Sequence, residues 1–320
     1  MELAGSGKPL GGVEGRCTAS KVFKMSKGLS EGSRESLLAQ TKKELRRAGM
    51  RARKSLGQHF LVDENILKVI LEAAAITPDD IVIEVGPGLG VLTRELAGQA
   101  GWIITIELDS RLAEALKKSL DSCDNVVIIN EDVLGTDPRE LLQTRAKFPD
   151  TLRPYKVVAN LPYYITSPVL RHFLGAEVKP ETMIVMVQKE VAEAIVAGPG
   201  QRSLLSISVQ FYGKPGIVGY VPASAFYPPP EVDSAILKID VYSSPPVDVD
   251  EEEFFELVRA GFTAARKQAV NSLAQGFKIP KDEVLERLEK AEIAPQRRAE
   301  TFTLEEWAKL WRVFYGERGS

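Results

Sequence analysis

The chain has little of the chemistry that metals or disulfides need. Its 320 residues hold two cysteines, Cys17 and Cys123, and two histidines, His59 and His172. Two cysteines make neither a disulfide framework nor a cysteine-rich zinc site, so no metal is expected. No run approaches 18 uncharged apolar residues, which excludes a transmembrane helix and makes a membrane partner unexpected. The first 25 residues lack an apolar stretch of the secretory kind. An excess of positive charge is also missing, for the net charge is −3. What remains is 44% apolar and 27% charged. That mix can bury a full core. A cytoplasmic monomer is expected.

The average charge conceals an asymmetry. Residues 1–60 carry 13 Lys and Arg against 5 Asp and Glu, while the other 260 carry 28 against 39. A basic arm on an acidic body keeps nucleic acid open as a partner, because local patches set the field near a surface.

The length allows two domains, or one large domain with an appendage. Residues 1–35 have no apolar period and read as a flexible extension, with Met25 and Met50 as alternative starts. Residues 36–54 read as a basic helix and tether. From Asp63, a plausible N-cap, short apolar runs alternate with amphipathic helices. The runs 79–85, 102–108, 125–130, 156–161 and 182–188 read as buried strands, with helices at 63–76, 92–99, 109–120, 167–174, 189–198 and 203–213. Such alternation predicts an α/β fold with a doubly wound parallel sheet. Two late strands, 216–221 and 234–242, flank a proline-rich loop and suggest an antiparallel edge. Residues 243–253 are a Pro, Ser and acid linker, which places one domain over 36–242. Residues 243–320 then read as a small all-helical C-terminal domain. Within it Thr303 and Glu306 form a capping box. The stripe Trp307, Leu310, Trp311, Phe314 reads as core.

Three carboxylates fall at the ends of adjacent strands. Glu84 precedes the turn Gly86-Pro-Gly88-Leu-Gly90, which departs from the dinucleotide fingerprint because its third glycine comes one residue early. A carboxylate there repels phosphate and suits a cation. Glu107 can accept both hydroxyls of a ribose, and Asp132 can accept from an adenine amino group. An adenosine with a positive charge and no phosphate is S-adenosylmethionine. Asn160-Leu161-Pro162-Tyr163 ends the fourth strand. An Asn160 oxygen and a nearby carbonyl can accept the N–H bonds of an adenine amine and turn its lone pair toward a methyl group. Tyr163 offers a face for stacking, and Pro162 stiffens the segment. In the loop 224–234 three prolines follow Phe226 and Tyr227, and this predicts an outward aromatic wall for a flipped base.

With these motifs in order, the chain resembles the KsgA/RsmA family of ribosomal RNA adenine dimethyltransferases. The resemblance rests on Gly57-Gln-His-Phe-Leu61, Glu84–Gly90, Ile106-Glu107-Leu108-Asp109, Asp132, Asn160–Tyr163, Gln188–Val191 and the 224–234 loop. Phe262, Arg266-Lys267, Asn271-Ser-Leu273 and Arg298-Ala-Glu300 also match. The resemblance implies a class I, Rossmann-like methyltransferase fold and S-adenosylmethionine as cofactor. It further implies dimethylation at N6 of two adjacent adenosines near the 3′ end of 16S rRNA, within an immature small ribosomal subunit. By match to the family pattern, His59, Leu61, Gly86, Glu107, Asp132 and Asn160 contact the cofactor, and Gly88 lets the turn approach it. Asn160, Leu161, Pro162, Tyr163 and Phe226 are the residues expected around the reacting amine. Lys42, Lys43, Arg46, Arg47, Arg51, Arg53 and Lys54, with Arg266, Lys267, Arg297 and Arg298, are expected on phosphates. His59 departs from the family's frequent Asn, and Ala265 and Val270 stand where basic residues are common. Three other readings compete: a 23S rRNA adenine methyltransferase of the macrolide-resistance type, a non-catalytic nucleic-acid-binding assembly or transcription factor, and an NAD-dependent dehydrogenase. The glycine spacing disfavours the last.

Overall fold

The computed structural model describes residues 35–53, 57–145 and 154–316. The extension expected over 1–35 therefore lies outside the described residues except for Glu35, and so does Lys54. The chain forms two compact units. One holds the described residues up to Lys189 with Ile217–Ile239, and the other holds Glu190–Gly216 and the chain from Asp240.

In chain order the elements are α1 (Leu37–Arg47), β1 (Phe60–Leu61), α2 (Glu64–Ala74), β2 (Ile81–Val85), α3 (Val91–Ala97), β3 (Trp102–Ile106), α4 (Ser110–Ser119) and β4 (Val126–Ile129). There follow β5 (Tyr155–Asn160), α5 (Thr166–Leu174), β6 (Thr182–Gln188), α6 (Lys189–Val196), α7 (Leu204–Tyr212), β7 (Gly213–Val221), β8 (Phe226–Tyr227) and β9 (Ser234–Val241). Four helices close the chain: α8 (Glu251–Phe262), α9 (Ala269–Phe277), α10 (Lys281–Lys290) and α11 (Leu304–Tyr315).

Among the described residues seven strands make one sheet in the order β4-β3-β2-β5-β6-β9-β7. The first five are parallel. β2 and β3 are buried along their whole length, as near-continuous Ile and Val runs require when helices cover both faces. The N–H of Lys189 after β6 meets the carbonyl of Asp233 before β9, and the N–H of Tyr242 after β9 meets the carbonyl of Tyr212 before β7. These end-to-start bonds make β9 antiparallel to both neighbours, which is the reversed edge the sequence suggests. The chain winds from β2 out to β4 and then returns to the other side of β2 as β5. This reversal opens a crevice beyond the strand ends, where α/β sheets bind ligands.

A separate two-stranded ladder lies at that crevice. Phe60 pairs with Tyr227 and Leu61 with Phe226, antiparallel, and the Val62 N–H extends it to the Ala225 carbonyl at 2.8 Å. Asp63 then caps α2 as predicted, with its Oδ1 accepting from the N–H groups of Asn65 and Ile66.

In the second unit α7 packs with the helices. Phe211 stacks on Phe254 with ring centroids 4.9 Å apart and meets Phe255 at 5.0 Å. That aromatic cluster is why residues 190–216 group with the C-terminal helices, where a division at 242/243 keeps them with the sheet. The Thr303–Glu306 capping box is present, and Trp307, Leu310 and Phe314 are buried. Among the described residues no helix is long and apolar enough to cross a membrane.

Candidate active site

The glycine turn after β2 shapes one wall of the crevice. Gly86, Gly88 and Gly90 all have positive φ, at 67°, 59° and 78°. A Cβ on Gly88 would come within 3.1–3.2 Å of the Phe60 ring, and one on Gly90 within 2.3 Å of Leu116 Cδ1. The turn therefore needs glycine for its conformation and for the closeness of its neighbours.

Glu107 stands just past β3. Its Oε2 accepts from the Gly88 N–H at 3.1 Å and its Oε1 from the Asp109 N–H at 2.9 Å. Burial raises its pKa, and those backbone donors oppose the rise. The carboxylate is thus held in one orientation, and each oxygen keeps acceptor capacity for a diol. Asp109 is itself held. Burial raises its pKa, but bonds from Arg111 and Gln58 outweigh this and leave it low. Glu84, on β2, is 1% exposed and its carboxyl is pushed up to about 8, chiefly by burial. Asp132 follows β4. Its Oδ1 accepts from the Leu134 N–H at 3.0 Å, and the rest of the carboxylate is left to the cleft.

At the end of β5 the Asn160 Nδ2 donates to the His59 carbonyl at 3.0 Å. Its Oδ1 remains as an acceptor. Tyr163 is fixed at both ends: its hydroxyl lies 2.7 Å from Ser234 Oγ, and its ring stacks at 5.9 Å on His59. Burial raises the phenol's pKa despite the Ser234 bond, so it stays neutral. The His59 Nδ1–H donates to the Pro228 carbonyl at 2.7 Å.

His59, Leu61, Gly86, Gly88, Glu107 and Asp132 line one cleft together with Asn160, Leu161, Pro162 and Tyr163. Phe226 does not join them. It is 3% exposed and packs in the sheet's apolar core with Leu61, its ladder partner. The outward wall expected of Phe226 is corrected to a core position, because strand pairing turns that side chain inward. Tyr227 next to it is half-buried and lies under Lys42 Nζ at 5.0 Å. Sequence reasoning passed over Leu108 and Leu134, which line the cleft at 54% and 38% exposure. The signal was there, since each is an apolar residue beside a strand-end acid where a solvated turn would be polar.

The basic arm is mostly exposed. Lys42, Arg46, Arg47 and Arg51 have no carboxylate partner among the described residues, whereas Lys43 pairs with Glu35 at 3.1 Å and Arg53 with Asp109 at 3.6 Å. In the second unit Arg266 and Lys267 are exposed, and Arg298 pairs loosely with Glu300 at 3.6 Å. Arg297 is different. Its guanidinium forks onto Glu306, donates to the Thr301 carbonyl at 2.7 Å and lies over the Phe302 ring at 5.0 Å. The phosphate role expected of Arg297 is corrected to a structural one, because its donors are already used.

The profile of the family described as "Ribosomal RNA adenine dimethylase" matches residues 49–314. A curated protein of Dehalococcoides mccartyi named "Ribosomal RNA small subunit methyltransferase A" is 52% identical over 280 residues, covering 87% of this chain and 94% of its own. A dimethyladenosine transferase from Plasmodium falciparum superposes with a TM-score of 0.67 at 28% identity, covering 82% of this chain and 98% of that one. The 23S rRNA methyltransferase ErmE superposes at 0.61 and 29% identity, covering 79% and 98%. The sheet with its flanking helices is thus the class I methyltransferase fold that the resemblance implies, and a helical C-terminal region is present.

Proposed function

Since the chain belongs to the ribosomal RNA adenine dimethylase family, we propose that it dimethylates N6 of two adjacent adenosines near the 3′ end of small-subunit rRNA, using S-adenosylmethionine. The donor set of the cleft fits that cofactor. A fixed carboxylate at Glu107 suits a ribose diol, Asp132 suits an adenine amino group, and Leu108 and Leu134 offer apolar cover for a base. The Glu107 carboxylate repels the phosphates of a dinucleotide. When bound, S-adenosylmethionine supplies a methyl group on a sulfonium, a leaving group that needs no acid.

The protein's task is then alignment. Asn160 Oδ1 accepts an N–H of the target amine, which localises the nitrogen's lone pair. Tyr163, immobilised by Ser234 and His59, stacks on the base. Pro162 and Leu161 keep water from the amine. No strong base is required, because the alkylated nitrogen becomes acidic and gives its proton to water. The observation that carries this reading is the commitment of Asn160 Nδ2 to the His59 carbonyl. It fixes the amide's orientation and leaves Oδ1 as an acceptor for the amine.

The finer reading is a cytoplasmic monomer acting on an immature small subunit. Half-buried Lys42 and exposed Arg46, Arg47, Arg51, Arg266, Lys267 and Arg298 would supply its phosphate contacts. Incubation with labelled S-adenosylmethionine and immature small subunits, followed by mapping of the label, tests it. Label on two adjacent adenosines of 16S rRNA is the expected result. With naked 23S rRNA offered in a parallel incubation, label confined to that rRNA would support the alternative that the ErmE likeness suggests.

A further inference from the structure

Two consecutive tyrosines, Tyr163 and Tyr164, follow Pro162 on the 3₁₀ turn Tyr163–Ile165. Such a turn has three residues per revolution, so consecutive side chains point about 120° apart. The two rings therefore cannot cover one base together. They also differ in how they are held. Tyr163 is half-buried and tied to Ser234 and His59. Tyr164 is 55% exposed, and its hydroxyl has no hydrogen bond among the described residues.

Both rings line the same cleft. Tyr164 is braced there. A Cβ on Gly57 would stand 3.5 Å from its Cδ1 and 3.6 Å from its Cε1, so the ring lies against that glycine's backbone. A ring seated in this way has lost much of its rotamer freedom in advance, and a ligand that stacks on it pays little for ordering it. Its other side is left to solvent at the rim of the cleft. The other exposed tyrosines, Tyr220 and Tyr242, do not line the cleft, and Tyr220 lies under Lys189 Nζ at 5.2 Å.

The ligand comes from the proposed function, on which this inference rests. An adenosine that enters the cleft leaves its stack, and the nucleotide beside it is drawn to the rim with one face bared. An exposed aromatic ring at that rim can take up the bared face. We propose that Tyr164 is the stacking platform for the nucleotide next to the target adenosine, so that adjacent tyrosines hold adjacent nucleotides. One adenosine of the pair is then kept at the rim while the other reacts. Recognition by the face suits this substrate. Methyl groups on N6 change the hydrogen-bonding edge of a neighbour already modified, but they leave its face open to stacking.

Steady-state methylation of immature small subunits by the full chain, with calorimetry for S-adenosylmethionine, tests this. Y164A should raise KM for the subunit about tenfold, as loss of one stacked base does, while kcat and cofactor affinity are kept. Y164F should restore KM. Y164L keeps bulk against Gly57 but has no ring, and it should not. Tyr164→p-benzoylphenylalanine should cross-link under near-ultraviolet light to a nucleotide within one position of the methylated pair, read as a stop in reverse transcription. S-adenosylhomocysteine replaces the cofactor in that experiment, so that no new methyl group stops the transcriptase. An unchanged KM in Y164A, rescue by Y164L, loss of cofactor affinity in Y164A, or cross-links elsewhere would overturn the proposal. Wild-type protein that puts no methyl group on adjacent adenosines would instead overturn the proposed function, so the two failures are distinct.

Discussion

At Asn160 one hydrogen bond decides what the side chain can do. With Nδ2 bonded to the His59 carbonyl, the amide is held in one orientation and its oxygen is left to accept from an amine. Asn160→Ala should therefore slow single-turnover methylation at saturating cofactor far more than it weakens RNA binding, because its bond strengthens as the lone pair reorganises. Glu107→Ala removes both ends of the clamp at Gly88 and Asp109 and should weaken S-adenosylmethionine binding by about 1–3 kcal/mol in calorimetry. Tyr163→Ala should cost about 1–3 kcal/mol of base stacking. After the first transfer one N–H remains, so the second transfer leans on stacking, and mass spectrometry of the rRNA should find monomethyladenosine accumulating. Phe226 belongs to a different account. Phe226→Ala should lower unfolding stability by about 3–5 kcal/mol, as truncation of a buried phenylalanine does. Denaturant titration checks this, and folded Phe226→Leu should methylate to completion.

Elements carry their own constraints. The turn into α3 fits against α4 only with glycine at position 90, where a Cβ meets Leu116 at 2.3 Å and φ is positive. Gly90→Ala should destabilise the protein by about 1–3 kcal/mol through overpacking, measured as a lower denaturant midpoint. On α1 and its tether, neutralising Lys42, Arg46 and Arg51 together should flatten the slope of log RNA affinity against log salt by about two to three units. Arg297→Ala should leave that slope unchanged and lower Tm, because its fork onto Glu306 braces the cap of α11. The contrast shows what sequence could tell. Strands, caps and the cleft's polar residues were legible, since each follows from local spacing: Asp63 before an apolar period, Glu107 and Asn160 at strand ends. The inward turn of Phe226 was not, because it depends on a pairing with Leu61, far away in the chain. The capture of Arg297 by Glu306 was likewise hidden in two separate readings, a capping box and a basic cluster.

For the whole molecule, the buried Glu84 carboxyl sets a dependence on pH. Its pKa is raised from 4.5 to about 8 on folding. The folded state thus holds a proton that the unfolded chain has lost, and stability falls as pH rises between those values and then levels. Scanning calorimetry from pH 5 to 8 should show Tm declining in the ligand-free protein, and less so in Glu84→Gln. The β1–β8 ladder carries a consequence of another kind. The carbonyl that orients Asn160 belongs to His59, whose ring bonds Pro228 and whose neighbour Phe60 pairs with Tyr227. Three stretches of chain, near residues 60, 160 and 227, must meet before the amide is aimed. The aim of the amide therefore depends on a stretch of chain that lies outside the five parallel strands altogether.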